Sequence, residues 1–252
     1  MNRAQSNDGT QIAFDRAGAG PALVLVVGAF SDRASTKTLA SGLGPTFTVY
    51  EYDRRGRGDS GEAGPYSIQR EVDDLAAVIE AAGGSAFAFG HSSGGALVLE
   101  AAASGVPLRA LAVYEPPYTE GPSHEFAARL ADMAAAGRKS DAVEAFLALM
   151  GTPAGVLKQM KAGPYWEHME SFAHTLAYEV GLCNDGSVPV DRLSKISIPT
   201  LALAGGASPE WAREGAHAIA AAVPNGQARV LEGQGHGVAD DVLIPVLKEF
   251  FM

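Results

Sequence analysis

The sequence has 252 residues, enough for one core that buries roughly 70 to 75% of the surface of its unfolded chain. Its formal charge of −10, from 19 Lys and Arg against 29 Asp and Glu, repels phosphate backbones and makes nucleic acid an unexpected partner. The polar N-terminal segment lacks the apolar run of a signal peptide, and no apolar stretch approaches the ~20 residues that cross a bilayer. We therefore expect a cytoplasmic protein without membrane association.

Cysteine and histidine usage argues against disulfides and metal sites. Cys183 is the single cysteine, which excludes an internal disulfide and suits a reducing compartment. The six histidines show neither H-x-x-x-H nor H-E-x-x-H spacing, so the sequence predicts no metal and no cofactor. The oligomeric state is left open, and a homodimer is compatible with the sequence.

The first 115 residues alternate strands with helices. Short, nearly continuous apolar runs bounded by Gly, Pro or Asp are typical of strands buried on both faces of a parallel sheet. Between the second and third runs, apolar residues recur at helical spacing from Ile68 to Ile79, and Gly83 and Gly84 supply the stop. The predicted strands lie at 22–28, 47–53, 86–92 and 109–115.

A helical block interrupts this alternation from about Tyr118 to Val190. The alternation resumes with a strand, a helix, a strand and a final helix, at 200–205, 209–223, 228–233 and 241–251. Such an insert is typical of a cap. The sequence therefore predicts an α/β fold with a mostly parallel central sheet flanked by helices, residues 1–117 and 191–252 forming the core and 118–190 the cap.

The strongest chemical signal is "FGHSSGG" at residues 89–95, in which Gly90, Ser92 and Gly94 satisfy G-x-S-x-G between a strand and a helical run. The glycines are needed because the turn is too tight for a Cβ, and the turn holds the serine in a strained conformation above the sheet. Ser92 is the candidate nucleophile. The alternative is an ordinary Gly-Ser turn.

A serine hydroxyl needs a general base, and His236 in "LEGQGHGV" is the candidate. It follows the last predicted strand and precedes the last helix, so it lies in a loop at the same sheet edge as Ser92. The other histidines fall in the elbow, the cap or a helix. The alternative is a solvated loop histidine.

In these features the chain resembles the α/β-hydrolase superfamily, in particular its capped esterases, lactonases, carbon-carbon hydrolases and cofactor-free haloperoxidase-like enzymes. The resemblance spans the chain: "VVGAF", "YDRRGRGDS", the elbow, the cap and the terminal G-x-G-H occur in family order. It implies an oxyanion hole formed by the backbone N–H groups of Ser93 and Ala29. Val27 departs from the family's usual His-Gly-x, but only a backbone donor is required.

The acid of the triad is missing from its usual place. In "PTLALAGGASPEW" the loop after the strand holds Ala207 and Ser208 where the family commonly has a carboxylate. We expect the acid at Glu115, which ends the strand beside the one that carries Ser92, and some family members place their acid there. The alternatives are Glu210, which suits a helix start, Asp240 and Asp241, which suit the start of the last helix, and no charged third member.

The segment Gly56 to Gly61 satisfies G-x-G-x-x-G and contains "RGD", but Pro65 follows instead of an immediate helix. We interpret it as a structural turn in which Asp53 and the arginines hold the loop. Five aromatic or sulfur-containing side chains are candidates to line an apolar pocket, although such residues also form cap cores: Phe30, Trp166, Met169, Phe172 and Tyr178.

The resemblance leaves three functions open. The first is a serine hydrolase that cleaves a small apolar ester, thioester or lactone through an acyl-enzyme. The second is carbon-carbon bond hydrolysis or perhydrolysis with similar residues. The third is a degenerate fold that acts as a binding protein or non-hydrolytic cyclase, which the absence of a carboxylate at Ser208 favours.

Overall fold

The computed structural model describes residues 1–119, 123–183 and 186–252, so residues 120–122 and 184–185 of the predicted cap lie outside the described residues. Within these ranges, eight strands form one sheet in the order β1-β2-β4-β3-β5-β6-β7-β8. The pairs β1–β2 and β2–β4 are antiparallel and the others are parallel, which confirms the predicted fold class. The strands are β1 (Asn2–Gln5), β2 (Gln11–Gly18), β3 (Ala22–Val26), β4 (Thr48–Tyr52), β5 (Ala86–His91), β6 (Leu108–Tyr114), β7 (Thr200–Gly205) and β8 (Gly226–Leu231).

The sequence did not predict β1 and β2. They form a hairpin at one edge of the sheet, where about half of their side chains are exposed. An edge position tolerates polar residues, so these strands lack the continuous apolar runs that identify the central ones.

Helices cover both faces of the sheet. Successive residues of β3 point to opposite faces, so Leu23 and Leu25 belong to one core cluster and Val24 and Val26 to the other. No helix in the described ranges is long and apolar enough to cross a bilayer. One layer contains α2 (Ile68–Ala81), α3 (Ser93–Ala103), α9 (Val190–Leu193) and α10 (Glu210–Ala222), and the other contains α1 (Lys37–Leu43) and α11 (Asp240–Phe251).

A helical insert with its own apolar cluster follows β6. Its helices are α4 (His124–Ala135), α5 (Lys139–Leu149), α6 (Ala154–Lys161), α7 (Trp166–Ser171) and α8 (Leu176–Leu182). Helices α7 and α8 are separated by a 3₁₀ turn at Ala173–Thr175. Side-chain hydroxyls bond back to carbonyls three residues earlier at this break, Ser171 to His168 and Thr175 to Phe172, which tightens the backbone.

Helix α3 lies unusually close to the end of β3. A Cβ added to Gly94 would lie 2.3 Å from the carbonyl oxygen of Val26, so two backbones meet where no side chain fits. Gly215, in α10, has no atom of another segment within 4 Å of an added Cβ.

These two helical glycines should respond to alanine with opposite signs. Gly94→Ala should lower the free energy of unfolding by more than about 2 kcal/mol, because backbone cannot move aside. Gly215→Ala should raise it by about 0.5 to 1 kcal/mol, because alanine is the better helix former. Urea denaturation measures both, and equal stability of the two variants would contradict the close approach.

Candidate active site

Ser92 lies in the tight turn between β5 and α3. Its backbone has φ 55° and ψ −129°, a strained conformation for a residue with a Cβ. The turn admits no side chain at Gly90, where a Cβ would lie 2.5 Å from the carbonyl oxygen of Gly94. The Ser92 N–H donates to the carbonyl oxygen of Tyr114 at 2.8 Å, which anchors the turn to β6. The structure thus places Ser92 in the geometry predicted for a nucleophile elbow.

The loop after β3 touches this turn. A Cβ on Gly28 would lie 2.8 Å from the Ser92 Cβ, so only glycine permits the approach. Ala29 follows directly, and Ser93 begins α3, where N–H groups of the first turn have no partner within the helix. Phe30, the next residue, has a positive φ of 57°, which is uncommon for a residue with a side chain. The two predicted oxyanion donors are therefore on segments that flank Ser92.

Glu115 and His236 are in direct contact. Glu115 Oε2 lies 2.7 Å from His236 Nδ1, and Glu115 Oε1 accepts the backbone N–H of Gly205 at 2.8 Å. The Glu115 side chain has no solvent exposure, whereas 47% of the His236 side chain is exposed. Glu115 has a positive φ of 47°, which aims its side chain across the end of β7. The sequence expectation that Glu115 would reach the candidate base, His236, corresponds to an observed contact.

The Glu115 carboxyl is ionised at neutral pH. Burial by itself raises its pKa, but hydrogen bonds from His236 and from the Gly205 amide outweigh burial, so the pKa lies below its ordinary value of 4.5. A charged carboxylate accepts at both oxygens, so His236 Nδ1 carries the proton that it donates. In the neutral ring this tautomer leaves Nε2 without a proton, so Nε2 can accept one.

Three successive carbonyl groups of the loop that carries His236 accept hydrogen bonds from neighbouring segments, which hold the loop in place. The carbonyl of Gln234 accepts from the Ala207 N–H at 2.8 Å, that of Gly235 from the Tyr114 hydroxyl at 2.5 Å, and that of His236 from His91 Nε2 at 2.8 Å. Burial lowers the pKa of His91 to about 4, so this ring is neutral at pH 7. The residue before Ser92 thereby holds the backbone of the candidate base.

The competing carboxylates begin helices. Glu210 is the first residue of α10, and Asp240 and Asp241 begin α11, positions where the helix dipole favours negative charge. Ser208, in the family's usual acid position, is buried. Among the weighed carboxylates, the contact with His236 is made by Glu115.

Three of the five candidate pocket residues pack in the apolar cluster of the cap, and the other two, Phe172 and Tyr178, lie outside it. Trp166 and Met169 belong to the apolar cluster of the cap, and Phe30 packs against that cluster, with its ring edge-on to Phe146 at 5.6 Å. Phe172 is buried against His168, with ring centroids 5.0 Å apart. Tyr178 stacks on Tyr66 at 3.9 Å and donates to Glu62, at the "RGRGDSG" turn.

The arginine-rich turn after β4 is buried and holds its surroundings. Asp53 accepts hydrogen bonds from the backbone N–H groups of Arg33 and Asp59, both at 2.9 Å. Arg54 and Arg57 reach the carbonyl groups of the loop after β3 and also pair with Glu179 in α8. Sequence reasoning missed Glu179, although a lone carboxylate inside the apolar run "LAYEVGL" was a readable signal of a buried partner.

The sequence and the fold of this chain are both similar to those of known proteins. A family model described as alpha/beta hydrolase family matches residues 23–242. An alpha/beta hydrolase from Sphaerobacter thermophilus is 49% identical over 100% of both chains, with a TM-score of 0.93. A thermophilic esterase from Thermogutta terrifontis has 22% identity and a TM-score of 0.73, over 99% of this chain and 97% of that one.

An enol-lactonase from Burkholderia xenovorans has 22% identity, a TM-score of 0.74 and 99% coverage of both chains. At this identity the esterase and the lactonase share the fold alone. No curated protein sequence matches the chain significantly. The family model covers most of the chain, and the resemblance read from the sequence is confirmed: this protein belongs to the alpha/beta hydrolase family.

Proposed function

We propose that this protein is a serine hydrolase that cleaves a small apolar carboxylic ester, thioester or lactone through an acyl-enzyme. The observation that carries the proposal is the 2.7 Å contact between the buried Glu115 carboxylate and His236 Nδ1. A degenerate hydrolase fold has no need to keep a desolvated carboxylate on a histidine, because burying such a charge is costly.

In the proposed acylation step, His236 Nε2 takes the Ser92 proton as Oγ forms a bond to the carbonyl carbon. The carbonyl π electrons move to oxygen, and the N–H groups of Ala29 and Ser93 stabilise this oxyanion. The electrons then return, the bond to the leaving oxygen or sulfur breaks, and His236 donates its proton to that atom. Glu115 holds the ring orientation and stabilises the imidazolium.

In the proposed deacylation step, His236 takes a proton from water while the water oxygen attacks the acyl carbon. Collapse of the second oxyanion breaks the Ser92 ester and returns a proton to Oγ. The acid leaves, and the enzyme is regenerated without a metal or cofactor taking part.

The substrate class is inferred from the surroundings of the oxyanion loop and from related folds. Ala29 and Phe30 pack against the apolar cluster of the cap, which favours an apolar acyl group. An esterase and an enol-lactonase share the fold, and both activities begin with attack on an ester carbonyl.

The first test labels Ser92 with a fluorophosphonate probe. Wild type should gain one covalent adduct and Ser92→Ala none, because the hydroxyl oxygen forms the bond to phosphorus. Intact-mass spectrometry and peptide mapping read the outcome. An unlabelled wild type, or equal labelling of Ser92→Ala, would reject the hydrolase proposal.

A second test separates Glu115 from Glu210 in the hydrolysis of p-nitrophenyl acetate and butyrate. Both Glu115 oxygens accept hydrogen bonds, so an amide must present its NH₂ to one of two donors, and Glu115→Gln loses a contact. In the serine-protease case the corresponding change lowers kcat by about 10⁴, and we expect a loss of at least about 10² here.

Glu210→Gln is the matched control, because this carboxylate begins a helix and should leave kcat within about threefold of wild type. Circular dichroism establishes that both variants fold. Near-normal turnover in folded Glu115→Gln, or an equal loss in Glu210→Gln, would reject the assignment.

A third test uses the titration of Glu115. Its pKa is lower in the folded protein than the ordinary 4.5, so the unfolded chain binds the proton more tightly. The stabilisation is therefore present above pH 4.5 and is lost as the pH falls through the folded value. The difference in unfolding free energy between wild type and Glu115→Gln should shrink on acidification below about pH 4.5. A difference that is constant from neutral to acid pH would contradict the shift.

A further inference from the structure

A cluster of four buried charges lies beneath the candidate oxyanion hole. It contains Arg54 and Arg57 from the turn after β4, Glu71 from α2 and Glu179 from cap helix α8, and each is at most 3% exposed. Arg54 binds Glu71 through Nε at 2.7 Å and Nη2 at 2.6 Å, and contacts Glu179 at 3.1 Å. Two positive and two negative charges balance, which makes their burial tolerable.

The arginines hold the loop that carries one oxyanion donor. Arg57 Nη1 donates to the Gly28 carbonyl oxygen at 2.7 Å and to that of Ser31 at 3.3 Å. The Gly28 carbonyl and the Ala29 N–H belong to one planar peptide group. A cation on the oxygen therefore fixes the direction of the N–H and strengthens it as a donor by polarisation.

Glu179 connects this arrangement to the other oxyanion donor. One of its oxygens accepts from Arg57 Nη2, and the other accepts from the Ser93 hydroxyl and from Arg54. Ser93 carries the second backbone donor, directly after Ser92. A single carboxylate on the cap thus reaches both segments that flank the nucleophile.

We propose that Glu179 and Arg57 are positioning residues that align the Ala29 and Ser93 N–H groups. Because Glu179 belongs to the cap, this alignment depends on how α8 packs against the core. The inference rests on the proposed function, because alignment matters only if an oxyanion forms. Donors held in place before reaction stabilise the transition state without reorganisation, so their misalignment lowers kcat more than it raises KM.

The test compares Glu179→Gln with Asp74→Asn, which is the matched control. Asp74 is equally buried and is bound by Arg55 at 2.7 Å through two nitrogens, but Arg55 also contacts Asp8 and the Arg70 carbonyl, away from the oxyanion loop. Both substitutions remove one buried carboxylate charge from an arginine. They differ in whether that charge is linked to the oxyanion donors.

Glu179→Gln should lower kcat for p-nitrophenyl butyrate about 10- to 100-fold, which is at most the loss caused by removing one oxyanion donor. Its KM should stay within about threefold of the wild-type value. Its fluorophosphonate labelling rate should fall in parallel. Asp74→Asn should keep kcat within about threefold of wild type, even if its melting temperature falls. Folded Glu179→Gln with wild-type kcat, a change in KM alone, or an equal loss in Asp74→Asn would each overturn the proposal.

Ser93→Ala keeps the inference testable if Glu179→Gln does not fold. It removes the hydroxyl contact to Glu179 and retains the backbone donor, and kcat should fall about tenfold at unchanged KM. Wild-type turnover in Ser93→Ala would then overturn the proposal. A wild-type protein that is neither labelled nor active on esters rejects the proposed function itself, before any variant is compared.

Discussion

The candidate site depends on the burial of the Glu115 carboxylate against His236. Its two oxygens accept from the Gly205 amide and from His236 Nδ1, so the charge is satisfied at a point where water is excluded. The contact joins the ends of β6 and β7 to the loop after β8. The ionised carboxylate favours the tautomer of the neutral His236 ring that has its proton on Nδ1, and this tautomer presents an unprotonated Nε2, which the proposed chemistry requires.

The candidate acid, Glu115, lies one strand away from the family's usual position, and the sheet explains why the position can change. Strands β6 and β7 are parallel neighbours, so their carboxyl ends lie side by side at the edge where the His236 loop passes. Leu203 in β7 accepts the Glu115 N–H at 3.0 Å, which ties the first residue after β6 to that strand. A carboxylate from either strand can reach the histidine, provided that the backbone turns it correctly.

Backbone strain is concentrated at this edge. Among the described residues other than glycine, positive φ occurs at Phe30 in the loop after β3, at Ser92 in the elbow and at Glu115, the candidate acid. Such conformations persist only where the surroundings determine them. Here the surroundings are the close backbone contacts at glycines, the hydrogen bonds to three carbonyl groups of the His236 loop, and the buried charge cluster of Arg54, Arg57, Glu71 and Glu179. The stable core supplies the free energy that keeps these three turns in place.

The sequence by itself determined the parallel strands and the elbow at Ser92, because these follow from apolar runs and glycine spacing. It predicted His236 as the candidate base from its place after the last strand. It predicted Glu115 as the candidate acid only with the help of the family resemblance, which implies that the strand ending at Glu115 lies beside the one that carries Ser92. It did not identify β1 and β2, since edge strands lack continuous apolar runs. It also missed Glu179, whose partners Arg54, Arg57 and Ser93 are 86 to 125 residues away in the chain. Local patterns carry no information on which distant charge fills a buried site. Only the packing of α8 onto the turn after β4 and onto the elbow decided that pairing.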